Sequence, residues 1–77
     1  MAETKFLKNS EEWLIFNDYW KLCQRLWRVE NTEQYWKNVT TSIGNFTQIH
    51  DTTFAKGLAV LLFNELERKY NQSLNVL

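Results

Sequence analysis

The stretch Asn9-Ser10-Glu11-Glu12-Trp13-Leu14-Ile15-Phe16-Asn17-Asp18-Tyr19-Trp20-Lys21-Leu22-Cys23-Gln24-Arg25-Leu26-Trp27-Arg28 decides the fold. Trp13, Phe16, Trp20, Cys23 and Trp27 recur at spacings of three and four, which stacks them along one seam of a helix. Ile15, Tyr19, Leu22, Leu26 and Val29 make a second seam beside it, leaving Asn17, Lys21, Gln24, Arg25 and Arg28 for the remainder. Two adjacent seams cover a little over half the circumference, so this helix must touch at least two neighbours. Asn9 followed three residues later by Glu12 has the spacing of a capping box, and a helix over 10–28 is expected. With five Phe, three Tyr and four Trp in the chain, the core is expected to be aromatic.

Outward from that helix, Val29 to Gln34 is polar after its first residue, and Asn31 with Gln34 repeats the capping spacing. A second helix is predicted over 32–47, with Trp36, Val39, Ile43 and Phe46 as its seam and Tyr35 alongside. Its end is the least defined feature, because Val39 to Gly44 are poor helix formers and the helix can stop anywhere between Gly44 and His50. Asp51, Thr52 and Thr53 all favour an N-cap, and a third helix is predicted over 53–71 with Phe54, Leu58, Leu62, Leu66 and Tyr70 placed to pack. Glu65 and Lys69 have the spacing of an ion pair on it. The run Gly57 to Phe63 is apolar almost all round, which makes this helix either central or part of an interface. The expected architecture is an all-α bundle of about three helices in one domain, residues 1–77, with frayed ends at 1–8 and 72–77.

Nine basic residues balance nine acidic ones, so no global field draws in nucleic acid or anionic lipid. The longest apolar run is far shorter than the roughly 20 residues of a membrane span. The lone Cys23 cannot close an intramolecular disulfide, and with no apolar signal segment the chain reads as cytoplasmic. The three sequons at Asn38, Asn45 and Asn71 then carry no meaning.

Catalytic constellations are thin. Cys23 sits in the Trp seam, where an apolar setting raises a thiol's pKa, and reads as a packed core residue. His50, the single histidine, is followed by Asp51, but adjacent residues rarely achieve relay geometry; His50 as a helix end and Asp51 as the next cap needs no chemistry. One His and one Cys make no zinc site, and no glycine-rich phosphate loop exists, so no enzyme activity, metal or cofactor is expected. Two surface features remain. Lys21, Arg25 and Arg28 form a short basic stripe able to touch a phosphate or an acidic partner. Val60 points away from the packing face of the third helix, which makes Val60 and Leu61, with Trp20 or Trp27, the candidate interface of a homodimer.

Phe16 with Trp20, then Leu26 to Thr32, then Glu33 to Trp36, together with Phe54-Ala55-Lys56 and Asn64 to Tyr70, resemble small uncharacterised helical proteins carried by Gram-positive bacteria, their prophages and mobile elements. The resemblance covers about two thirds of the chain and rests on packing positions, so it transfers no activity and no functional residues. It implies a setting in which small accessory factors bind a host or defence protein. The expected function is therefore a non-enzymatic helical protein–protein interaction module. A nucleotide or short nucleic-acid binder using aromatic faces and the basic stripe is the alternative.

Overall fold

The computed structural model describes residues 5–75. It contains three α-helices, α1 (Glu11–Leu26), α2 (Glu33–Ile49) and α3 (Thr53–Asn75), and no strand among the described residues. The all-α, three-helix expectation holds. No helix among the described residues is long and apolar enough to cross a membrane.

Hydroxyl caps start all three helices, one residue after the capping-box asparagine for α1 and α2 and at one of the three expected residues for α3. Ser10, not Asn9, caps α1: its Oγ accepts from the Trp13 amide at 3.3 Å. Asn9 lies in the left-handed region, at φ 69°, which Asn tolerates better than most residues, in a turn closed by Ser10 N–H to Leu7 C=O at 3.0 Å. Thr32 caps α2 through the Tyr35 amide at 3.1 Å, and Thr52 caps α3 through the Ala55 amide at 3.0 Å. Asn31 is used differently, accepting from the Tyr70 hydroxyl at 2.9 Å, and Asp51 pairs with Lys56 at 2.8 Å.

α1 ends at Leu26, two residues short of the expected boundary. α2 continues to Ile49 through its poor helix formers. Thr40 and Thr47 return their hydroxyl protons to the carbonyls of Trp36 and Gly44, at 2.9 and 3.0 Å, so they do not compete with the helix. Burial of Val39, Ser42 and Phe46 supplies the rest. α3 runs to Asn75, four residues beyond expectation and into the end expected to fray; residues 1–4 and 76–77 lie outside the described residues.

The core is mostly aliphatic, which corrects the aromatic expectation. Ile15, Leu22 and Leu26 of α1 meet Tyr35, Val39 and Phe46 of α2 and Ala55, Ala59, Leu62 and Leu66 of α3. The second seam of α1, not the tryptophan seam, faces inward. Ala55 and Ala59 keep the centre narrow, so branched aliphatic chains fill it where indoles would overpack. Phe54, expected to pack, is 49% exposed. Trp36 packs beside the core, edge-on to Tyr35, Phe63 and Tyr70 at centroid distances of 5.0 to 6.2 Å.

Two tertiary bonds close the C-terminal end of α1. The Tyr35 hydroxyl donates to the Leu26 carbonyl at 2.7 Å, satisfying a buried acceptor at the C-terminus of α1. Lys69 donates to the Trp27 carbonyl at 2.6 Å with its ammonium 4.1 Å from that indole's centroid. The expected Glu65–Lys69 pair is thus not made; Glu65 holds Arg68 instead through two bonds of 2.8 and 2.6 Å. The molecule measures 48 × 29 × 19 Å, and its thinnest dimension allows only about two helix diameters.

Candidate functional site: the aromatic face of α1

Because the aliphatic seam of α1 turns inward, its aromatic seam turns out. Phe16, Tyr19, Trp20, Cys23, Gln24 and Trp27 line an open trough of about 940 Å³. Trp20 is 65% exposed, Trp27 47% and Phe16 40%, while Tyr19 and Cys23 form the half-buried floor. Cys23 packs against the core as expected, and its half-buried side chain also forms part of the trough floor. The trough borders α3 at both ends: Phe16 meets Phe54 edge-on at 5.5 Å, and Trp27 meets Lys69. Phe6 stacks on Phe16 at 5.6 Å and extends the aromatic surface beyond the first turn of α1.

Burial is the main cause of the perturbed acidities on the floor. It pushes Tyr19 up to about 12, helped by the neighbouring Cys23, and raises the Cys23 thiol, against which a Tyr19 hydrogen bond acts. A thiol held neutral in an apolar groove is a poor nucleophile.

Leu61, seven residues after Phe54 on the same stripe of α3, is 63% exposed and belongs to this side of the molecule. Val60, 58% exposed, lies about 100° round the helix from it and does not share that stripe. The candidate interface residues therefore divide: Trp20 and Trp27 share the trough, Leu61 lies on the Phe54 stripe of α3 that borders it, and Val60 is on a different stripe.

The basic stripe divides as well. Lys21 and Arg25 border a small depression of about 210 Å³ of mixed character, lined by Asp18, Ser42 and Asn45 as well as Leu22, Phe46 and Ile49, on the α2 side of α1. Arg28 follows the end of the helix and is not among the residues lining it. The aromatic trough and these two cations occupy different flanks of α1.

His50 has a carboxylate partner that its sequence neighbours do not suggest. Its Nε2 lies 2.7 Å from Asp18 Oδ2, which joins the end of α2 to the middle of α1 across 32 residues. Asp51 points to Lys56 instead. The imidazole is only 8% exposed and packs against Phe46 at 5.2 Å, so the pair is a tie between helices rather than an accessible acid–base group. No group of three or more His, Cys, Asp or Glu among the described residues could hold a metal ion.

No family model matches this chain, and neither a curated protein nor a solved structure does.

Proposed function

We propose that the chain is a non-enzymatic protein–protein interaction module whose contact surface is the aromatic face of α1. The observation that carries this is Trp20, 65% exposed at the middle of a contiguous apolar trough on a well-packed helix. Exposed indoles of this kind are what protein interfaces place at their energetic centre, since covering one removes a large apolar area from water with little loss of side-chain freedom. In this proposal the chain is a cytoplasmic accessory factor of a prophage or mobile element, acting on a host or defence protein.

Two features support a non-enzymatic role: the one His–carboxylate pair is spent on joining helices, and the one thiol is held neutral. The alternative, a nucleotide or short nucleic-acid binder, has less support. Lys21 and Arg25 lie on a different flank of α1 from Trp20 and Trp27, so the cations and the aromatic face do not form one site.

The test is capture from bacterial host lysate by immobilised wild-type and Trp20→Ala chains across a salt series. A protein held by wild type, lost with Trp20→Ala and insensitive to salt is the expected result. Identical capture by both chains overturns the proposal. Nucleic acid released steeply as salt rises would favour the alternative.

A further inference from the structure

We infer that the occupant of the aromatic trough is a second copy of this chain, docked antiparallel about a twofold axis through Trp20. The inference rests on the proposal that this face is an interface and names what covers it in the isolated protein; another protein binds there by displacing the second copy.

Three observations lead there. Phe16, Trp20 and Trp27 of the trough, Phe54 against Phe16, and Leu61 on the stripe of Phe54 are each between 40 and 65% exposed. At about 150–250 Å² per aromatic side chain, pairing this face with its own copy removes roughly 1,000 Å² in total, the area at which specific interfaces begin. Second, the trough carries opposite charges at its two ends. Glu12, four residues before Phe16 on the same stripe, stands at the N-terminal end, and the Lys69 ammonium stands over Trp27 at the other. A twofold axis perpendicular to α1 brings each Glu12 toward the partner copy's cation, whereas parallel pairing sets like charge on like. Third, Trp20 lies about midway between Glu12 and Trp27 and is the most exposed of the trough aromatics, so the axis passes through the residue best suited to be buried against its own image. Zero net charge leaves little repulsion between copies.

Sedimentation equilibrium of the full chain between about 1 and 100 μM tests this. The expected mass is that of two chains. Trp20→Glu should raise the dimer Kd at least about thirtyfold with helicity unchanged, because the side chain lies outside the core. Val60→Glu, on the other flank of α3, should leave the dimer intact. Glu12→Lys should weaken it severalfold, and adding Lys69→Glu should restore it; if Lys69→Glu disturbs the fold, Glu12→Lys alone decides the orientation. Alkylation of Cys23 on the trough floor should slow as protein concentration rises. A one-chain mass throughout, or a dimer indifferent to Trp20→Glu, overturns the inference. A one-chain mass with Trp20-dependent capture of another protein would remove the dimer and leave the interaction module standing; a dimer with no captured protein would do the reverse.

Discussion

Asp18 and Asp51 show how much a carboxylate's setting matters. Asp18 holds the buried imidazole of His50 at 2.7 Å, while Asp51 makes an exposed pair with Lys56 that lowers its pKa but orders little else. Removing the partner of a buried polar group leaves it unsatisfied, so Asp18→Ala should cost about 1–3 kcal/mol in urea denaturation. Asp51→Ala should produce no measurable change, as is usual for surface pairs. Equal effects would mean that the His50 contact contributes nothing. Tyr19 and Cys23, like Tyr35, should make stability fall at alkaline pH. Both have folded pKa values raised above their ordinary ones, chiefly by burial, so their contribution is fully present below about pH 9 and is lost as pH rises through the folded values. Unfolding free energy should therefore decline from about pH 9 toward pH 12, and Cys23→Ser should soften the onset. Iodoacetamide should alkylate native Cys23 more slowly at pH 8 than the unfolded chain's thiol.

Among the elements, α2 is the one that tertiary packing holds helical against its local preferences. Its Val39-Thr40-Thr41-Ser42-Ile43-Gly44 run continues as helix because one face is buried and the Thr40 hydroxyl is absorbed by the Trp36 carbonyl. Gly44 is the remaining weak point. A Cβ built there meets nothing within 4 Å, and its φ is not positive, so Gly44→Ala should stabilise the protein by about 0.5–1 kcal/mol. An unchanged or lowered melting temperature by circular dichroism would show that the helix is not limited by backbone entropy at this point. The helix boundaries themselves were legible to within a few residues, since Ser10, Thr32 and Thr52 follow stretches that carry cap chemistry. The choice among neighbouring cap residues was not, because Asn9, Ser10, Asn31 and Thr32 are chemically equivalent candidates until the incoming chain direction is set.

For the whole molecule, the narrow aliphatic core carries the fold. Leu26, Val39, Leu62 and Leu66 are fully buried or nearly so. Leu66→Ala should cost about 2–5 kcal/mol, a large part of the few kcal/mol available to a domain this small, and leave a substantial unfolded population at 37 °C. Trp20→Ala should leave thermal stability of the isolated chain nearly unchanged, apart from any contribution made by association. Finding Trp20→Ala as damaging as Leu66→Ala would place the tryptophan seam inside the core after all.

Periodicity and capping chemistry alone determined the class, the three helices and the two apolar seams on the first of them, because these depend on spacings of three and four that any helix must present. Which seam is buried was decided only in three dimensions. Both are apolar and of similar length, and nothing local distinguishes them; Ala55 and Ala59 on α3, with Val39 and Phe46 of α2, select the aliphatic one and leave Trp20 and Trp27 to solvent. The same docking brings Asp18 beside His50 and Lys69 over Trp27, contacts separated by 32 and 42 residues. Such pairs carry no local signature, since the sequence places residues along a helix while only the packing of one helix on another decides which of its faces remains open.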